Sequence, residues 1–119
     1  DRKEFECLAE NIYYESRGEP YIGKIAVANI TFNRAEKEGS FCGAVHRTKQ
    51  FSWTMMKDLK KPHGDEWFAS RHAAHMFSNG VRVKNLEEVH YFHTEAVNPV
   101  WDNNMVKIAT IGGHQFYKQ

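Results

Sequence analysis

The sequence predicts an α+β domain in which helices come first and a small antiparallel sheet follows. Before Gly80, apolar residues recur at helical spacing in three segments, as expected when one stripe of each helix faces a core. After Gly80, they gather in short runs rich in β-branched and aromatic residues, separated by turn residues. Helices followed by strands favour an α+β fold over alternating βαβ units.

The three helical segments have recognisable ends. Residues 3–16 form the first, which Gly18 stops, and residues 20–37 form the second. The third runs from Asp65, whose side chain is placed to cap it, to about Ser78. These signals predict three amphipathic helices of ordinary length.

The stretch between the second and third helices lacks strong periodicity. Cys42 lies in a short loop or helical turn, and residues 50–53 (QFSW) follow. Residues 57–64 are charged and contain a Lys-Lys-Pro breaker, which indicates a solvated loop.

Three short runs predict the strands of the sheet. They cover residues 89–93, 105–111 and 114–117. Gly112-Gly113 predicts a hairpin turn between the last two, and Asn98-Pro99 predicts a turn after the first.

Composition limits the class of protein. A chain of 119 residues with 41% apolar and 26% charged residues fits one globular domain, 1–119, which we expect to be a monomer. The formal charge of +1 lacks the basic excess of a nucleic-acid binder. Mean hydropathy is −0.66, no apolar run approaches the ~20 residues of a membrane span, and no signal peptide is visible. Because the chain starts at Asp1, we expect a processed or excised domain.

The two cysteines, Cys7 and Cys42, are too few to hold a metal ion. Two alternatives are open: a disulfide between the first helix and a later loop, or two buried apolar thiols. Neither cysteine lies in a basic or helix-start context, so the sequence indicates no catalytic thiol.

Glu15 is the residue with the clearest chemical potential. It lies near the end of the first helix, beside Ile12 and Tyr13 of the apolar stripe. Desolvation there would raise the pKa of its carboxyl toward neutrality, which suits a proton donor. The alternative is an exposed glutamate paired with Arg17 or Lys24.

Further motifs lie along nearly the whole chain. In order they are residues 6–9 (ECLA), 14–20 (YESRGEP), 23–28 (GKIAVA) with Asn33-Arg34, 42–45 (CGAV), 50–53 (QFSW), 90–93 (HYFH), 98–101 (NPVW) and 111–117 (IGGHQFY). Each is weak alone. In combination they resemble the spore-cortex-lytic and cell-wall hydrolase family. Residues 57–64 depart from its pattern.

The resemblance implies a compact lysozyme-like α+β domain that cleaves peptidoglycan glycan strands, in many members as a lytic transglycosylase. It implies that Glu15 is the catalytic acid. Glu19 matches a second family glutamate and would support the site, although an acid there also suits the dipole of the next helix. Family positions in or beside the substrate groove match Phe51, Ser52, Trp53, His93, His114, Phe116 and Tyr117. The implied place of action is the cell wall, outside the cytoplasm.

The number of carboxyl groups separates two mechanisms. A hydrolysing muramidase or glucosaminidase generally needs two, ~5–9.5 Å apart, whereas a lytic transglycosylase can work with Glu15 alone. Candidate partners are Asp65, Glu87, Glu88, Glu95 and Asp102. A non-catalytic peptidoglycan-binding module is a third reading.

Two pairs among the seven histidines could suggest zinc and an amidase. His72 and His75 share a predicted helix, and His90 and His93 bracket a predicted strand. However, no H-E-x-x-H motif is present, and positions i and i+3 of a strand point to opposite faces. The sequence therefore predicts no metal and no cofactor.

Two tryptophans receive different predictions. Trp53 lies in an aperiodic segment, so we expect it to face the groove as a platform for a sugar ring. Trp67 lies on the third helix, and we expect it in the core.

Overall fold

The computed structural model describes residues 1–47, 51–94 and 105–118. In these residues, helices precede a three-stranded sheet, which confirms the predicted α+β order. The helices are α1 (Arg2–Ser16), α2 (Tyr21–Glu38) and α3 (Gly64–Ser78), and the strands are β1 (Tyr91–Thr94), β2 (Val106–Ile111) and β3 (His114–Lys118).

The sheet has the order β1-β3-β2, and both pairings are antiparallel. Gly112, with φ 58°, lies in the turn between β2 and β3, where Ile111 pairs with His114. This confirms the predicted Gly-Gly hairpin. The first strand begins at Tyr91, later than predicted, and the predicted turn at Asn98-Pro99 lies outside the described residues.

The helices pack on one another through their apolar stripes. Leu8 and Ile12 of α1 meet Ile25 of α2 and Phe77 of α3 in one buried cluster. A second cluster joins α2 to the sheet through Ile30, Phe116 and neighbouring apolar residues. Helix α2 is therefore the central element, covered on one side by helices and on the other by strands.

The start of α3 differs from the prediction. His63 is the N-cap residue, its side chain makes no capping bond, and the helix begins at Gly64. Asp65 therefore does not cap the helix but lies in its first turn, where a negative charge suits the helix dipole. Gly64 has φ 71°, a left-handed conformation that glycine adopts easily, and the chain turns into the helix at this residue.

The irregular stretch between α2 and α3 contains two short helical turns. Gly43–Arg47 is a π-helical turn and Ser52–Met55 is a 3-10 helix. Most of residues 57–64 are exposed coil, as predicted.

A disulfide joins Cys7 of α1 to Cys42, across a sequence separation of 35 residues. It decides between the two alternatives for these cysteines. Close by, Glu4 accepts hydrogen bonds from the backbone N–H groups of Phe41 and Cys42, at 2.6 and 3.2 Å. A cross-link of this loop length should stabilise the fold by ~4 kcal/mol on the chain-entropy estimate.

None of the described helices has the length and apolar character needed to cross a membrane.

Candidate active site

Glu15 lies half-buried at the C-terminal end of α1. Burial raises the pKa of its carboxyl to about 7, and the nearby Arg34 guanidinium opposes part of that rise. Glu15 makes no hydrogen bond or ion pair with another residue that the structure describes. Its carboxyl can therefore hold a proton at neutral pH and present it to a substrate atom.

Arg34 of α2 is a buried cation, only 8% exposed. Its Nε donates a hydrogen bond to the backbone oxygen of His90 at 2.6 Å. Its guanidinium lies over the ring of Phe51, 4.5 Å from the centroid, and 5.8 Å from that of Tyr91. Burial lowers the pKa of Arg34 to about 10, so the side chain is still charged at neutral pH.

Trp53 is buried, so the prediction of a groove-facing platform was wrong. The residue is 9% exposed, and its indole Nε1 donates to Asn11 Oδ1 at 2.7 Å. Asn11 in turn donates through Nδ2 to Thr31 Oγ1 of α2 at 2.9 Å. A core contact thus ties the aperiodic segment to α1 and, through Asn11, to α2.

Tyr14 of α1 covers the buried indole of Trp53. The two rings stack with centroids 4.5 Å apart and an interplanar angle of 29°. Tyr14 is half-exposed, and its hydroxyl donates to the backbone oxygen of Lys60 at 2.5 Å. The partly exposed aromatic surface here belongs to Tyr14, the neighbour of Glu15 in the chain.

Glu19 connects the end of α1 to the hairpin of the sheet. Its Oε1 accepts a hydrogen bond from the backbone N–H of Gly113 at 2.5 Å. A Cβ added at Gly112 would lie 2.0 Å from the same oxygen, and one added at Gly113 would lie 3.0 Å from Oε2. Gly112 is therefore required for the close approach of this carboxylate to the turn, and a side chain at Gly113 would crowd it.

We expect Glu19→Gln to retain more lytic activity than Glu15→Gln and to lose activity together with stability. The amide weakens a charge-assisted bond to the hairpin, which should cost about 1–2 kcal/mol. Thermal unfolding and lytic rate on purified walls check this. The expectation fails if Glu19→Gln keeps the native midpoint yet is as inactive as Glu15→Gln.

Other residues predicted for the groove lie mainly in the packed interior. Phe51, His114, Phe116 and Tyr117 are buried, whereas Ser52 is exposed. His93 lies in β1 opposite Gln115, and its side chain is not among those described. Phe51 contributes to the site indirectly, because its ring supports Arg34.

None of the predicted partner carboxylates that the structure describes shifts the pKa of Glu15. Among the described residues, the one charged group whose field shifts the pKa of Glu15 is Arg34. Asp65, Glu87 and Glu88 are exposed, while Glu95 and Asp102 lie outside the described residues. Within those same limits, no three His, Cys, Asp or Glu side chains are grouped to hold a metal ion.

Sequence reasoning gave no individual role to Asn11, Tyr14 or Arg34. A signal for two of them was present, because Asn11 and Arg34 are polar residues at core-facing helical positions, beside Ile12 and Ile30 respectively. Buried polar side chains need partners, and such positions therefore suggest a network.

The fold agrees with what comparison with known proteins finds. A model of the Cell Wall Hydrolase family matches residues 18–117. The chain belongs to this family. A search of curated proteins returns no significant match.

Two solved structures share the fold. The catalytic domain of the germination-specific lytic transglycosylase SleB from Bacillus anthracis has a TM-score of 0.81 at 23% identity, covering 99% of this chain and 96% of that one. The catalytic domain of the Bacillus cereus SleB protein has a TM-score of 0.80 at 24% identity, covering 99% of this chain and 91% of that one. These values confirm the architecture that the resemblance implied.

Proposed function

We propose that this cell wall hydrolase cleaves the peptidoglycan glycan strand between N-acetylmuramic acid and N-acetylglucosamine, as a lytic transglycosylase with Glu15 as its acid and base. The observation that carries the proposal is the half-buried Glu15 carboxyl, whose pKa of about 7 keeps a proton available near neutrality. Family membership supplies the substrate, and the likeness to the SleB lytic transglycosylase of Bacillus anthracis supports the reaction type.

The proposed reaction needs one carboxyl group in two successive roles. The Glu15 carboxyl gives its proton to the glycosidic oxygen as the bond from that oxygen to the muramyl C1 breaks. The muramyl 6-hydroxyl then forms a bond to C1, and the Glu15 carboxylate accepts the hydroxyl proton. The product carries a 1,6-anhydro ring, and Glu15 returns to its starting state.

The surroundings of Glu15 favour this route over hydrolysis. A hydrolysing glycosidase generally places a second carboxyl group ~5–9.5 Å from the acid. No described carboxylate acts on the pKa of Glu15. An intramolecular hydroxyl removes the need for a second group, because the substrate supplies its own nucleophile.

The proposal extends to where and how the chain works. We propose that residues 1–119 form one catalytic domain that acts as a monomer on the cell wall, outside the cytoplasm. The Cys7–Cys42 disulfide supports this location, because such bonds persist mainly in oxidising compartments.

Mass spectrometry of the fragments released from purified peptidoglycan tests the reaction type. Fragments ending in 1,6-anhydro-muramic acid are expected. Fragments with a reducing muramic acid or glucosamine end, heavier by one water, would instead assign a hydrolysing muramidase or glucosaminidase. Release of free peptides with intact glycan would indicate an amidase.

Wall lysis should survive metal removal, because the proposed reaction uses only the Glu15 carboxyl and the substrate. Dialysis against EDTA, followed by a turbidity assay at the same protein concentration, checks this. A matched sample resupplied with zinc is the control. Loss of lysis in EDTA with recovery in zinc would favour the zinc amidase reading.

A further inference from the structure

One nitrogen of the Arg34 guanidinium, Nη1, has no hydrogen-bond partner among the described residues. Nε is bonded to His90, whereas Nη1 is buried without such a bond. Most buried donors in native proteins have a partner, so each exception calls for an explanation. This vacant nitrogen belongs to the charged group whose field acts on the carboxyl proposed as the proton donor.

Packing fixes the guanidinium in place. The His90 oxygen holds one edge, and the Phe51 ring lies 4.5 Å below its face. The side chain is only 8% exposed, so little of it is available to hydrogen-bond with solvent. These contacts fix the position of its charge in the folded protein.

Arg34 and Glu15 interact through space without forming a direct bond. Each perturbs the pKa of the other, yet no ion pair or hydrogen bond joins them within the described structure. This arrangement suits a Glu15 carboxyl that is protonated at rest, since a neutral acid requires no counter-ion.

We propose that Arg34 is a positioning residue whose vacant Nη1 edge receives the Glu15 carboxylate after that group has given its proton to the leaving oxygen. The inference rests on the proposed function. Arg34 keeps all its protons during the step. The carboxylate leaves this edge when it takes the proton of the muramyl 6-hydroxyl, so the cation stabilises only the intermediate charge state.

Other titratable groups on the elements that pack here do not replace this cation. They include Arg17 directly after α1, Lys24 and Lys37 on α2, His90 and Tyr91 at β1, and His114 on β3. Burial lowers the pKa of His90, with Lys37 acting in the same direction. Among the described residues, Arg34 remains the charge that acts on Glu15.

Carboxyl titration by NMR tests the coupling without any substrate. Glutamate labelled with ¹³C at Cδ is followed in the native protein, in Arg34→Gln and in Arg34→Lys. We expect Arg34→Gln to raise the Glu15 midpoint by ~1 pH unit, because an opposing charge is lost, and Arg34→Lys to raise it less. A folded Arg34→Gln with an unchanged midpoint would overturn the proposal.

Arg82→Gln is the matched control. Arg82 also lies over two rings, those of Phe32 and Phe77, at 5.2 and 3.6 Å, but it does not act on Glu15. Its loss should lower the thermal midpoint and leave the Glu15 titration unchanged. A similar shift of the Glu15 midpoint in Arg82→Gln would show that loosening of the fold, and not charge, is responsible.

Kinetics give a second readout that a purely structural role would not move. Arg34→Gln should lower kcat ~10-fold, the ratio that corresponds to one pKa unit, and should change KM little. The pH at which its lytic rate falls on the alkaline side should rise together with the titration midpoint of Glu15. A raised KM with an unchanged kcat and an unchanged alkaline pH limit would contradict the assignment.

A third measurement keeps the test open if Arg34→Gln does not fold. The ¹⁵Nη signals of Arg34 in the native protein should shift with a midpoint near that of Glu15 and stay flat in Glu15→Gln. A flat response in the native protein would overturn the proposal. This titration is independent of lysis, so it can succeed even if Glu15→Gln remains lytic and the proposed function fails.

Discussion

Replacing Glu15 by Gln should abolish wall lysis while leaving the fold intact. The amide has the shape of the carboxylic acid but cannot transfer a proton to the leaving oxygen, and general acid catalysis contributes ~10²–10⁴-fold to such reactions. Turbidity loss of purified cell walls measures the effect. A folded Glu15→Gln protein that lyses walls at the native rate would remove the catalytic assignment and favour a binding module or another acid.

Glu10→Gln is the matched control for that experiment. Glu10 lies on the same helix and is also partly buried, and desolvation raises the pKa of its carboxyl as well. Since it has no role in the proposed reaction, its amide variant should lyse walls at close to the native rate. Equal losses in both variants would mean that any amide substitution on α1 disturbs the enzyme.

The raised pKa of Glu15 also fixes the direction of two pH effects. Lytic activity should fall as pH rises through about 7, where Glu15 loses its proton. At pH values between the pKa of Glu15 in the unfolded chain and about 7, Glu15 keeps its proton in the folded protein but loses it in the unfolded chain. This group therefore makes stability fall as pH rises. Glu15→Gln removes that dependence and should unfold no earlier than the native protein at pH 8.

Replacing Trp53 by Ala should mainly destabilise the protein. The change removes a large buried ring, breaks the bond from Nε1 to Asn11 and takes away the surface on which Tyr14 stacks. Truncating a buried Trp costs ~3–5 kcal/mol, and Asn11 Oδ1 would also lose its buried donor. Denaturant unfolding gives the free energy, and lytic rates below the midpoint give the activity.

Trp67→Ala provides the comparison for Trp53→Ala. Trp67 is half-buried against the helical core and stands edge-on to Tyr13, with centroids 5.9 Å apart. Its loss should therefore cost less stability than the loss of Trp53. A Trp53→Ala protein with the native unfolding free energy and a strongly reduced lytic rate would restore the sugar-platform interpretation.

Local pattern was sufficient for the helices and the hairpin. The apolar stripes of α1 and α2 and the Gly112-Gly113 turn depend on neighbours within a few residues. Helical spacing placed Glu15 beside Ile12, and the family resemblance implied its role as the acid. The sequence could also state that Cys7 and Cys42 have two possible fates, but not which of them occurs.

What the sequence by itself determined is the order of elements, the family resemblance and the identity of the candidate acid. Only the tertiary structure decided the surroundings of that acid. Trp53 is buried because the aperiodic segment packs against Asn11 and Tyr14 of α1, which lie about 40 residues earlier in the chain. Arg34 acts on Glu15 because α1 packs beside α2. Burial and electrostatic coupling depend on distances through space, which spacing along a chain does not specify.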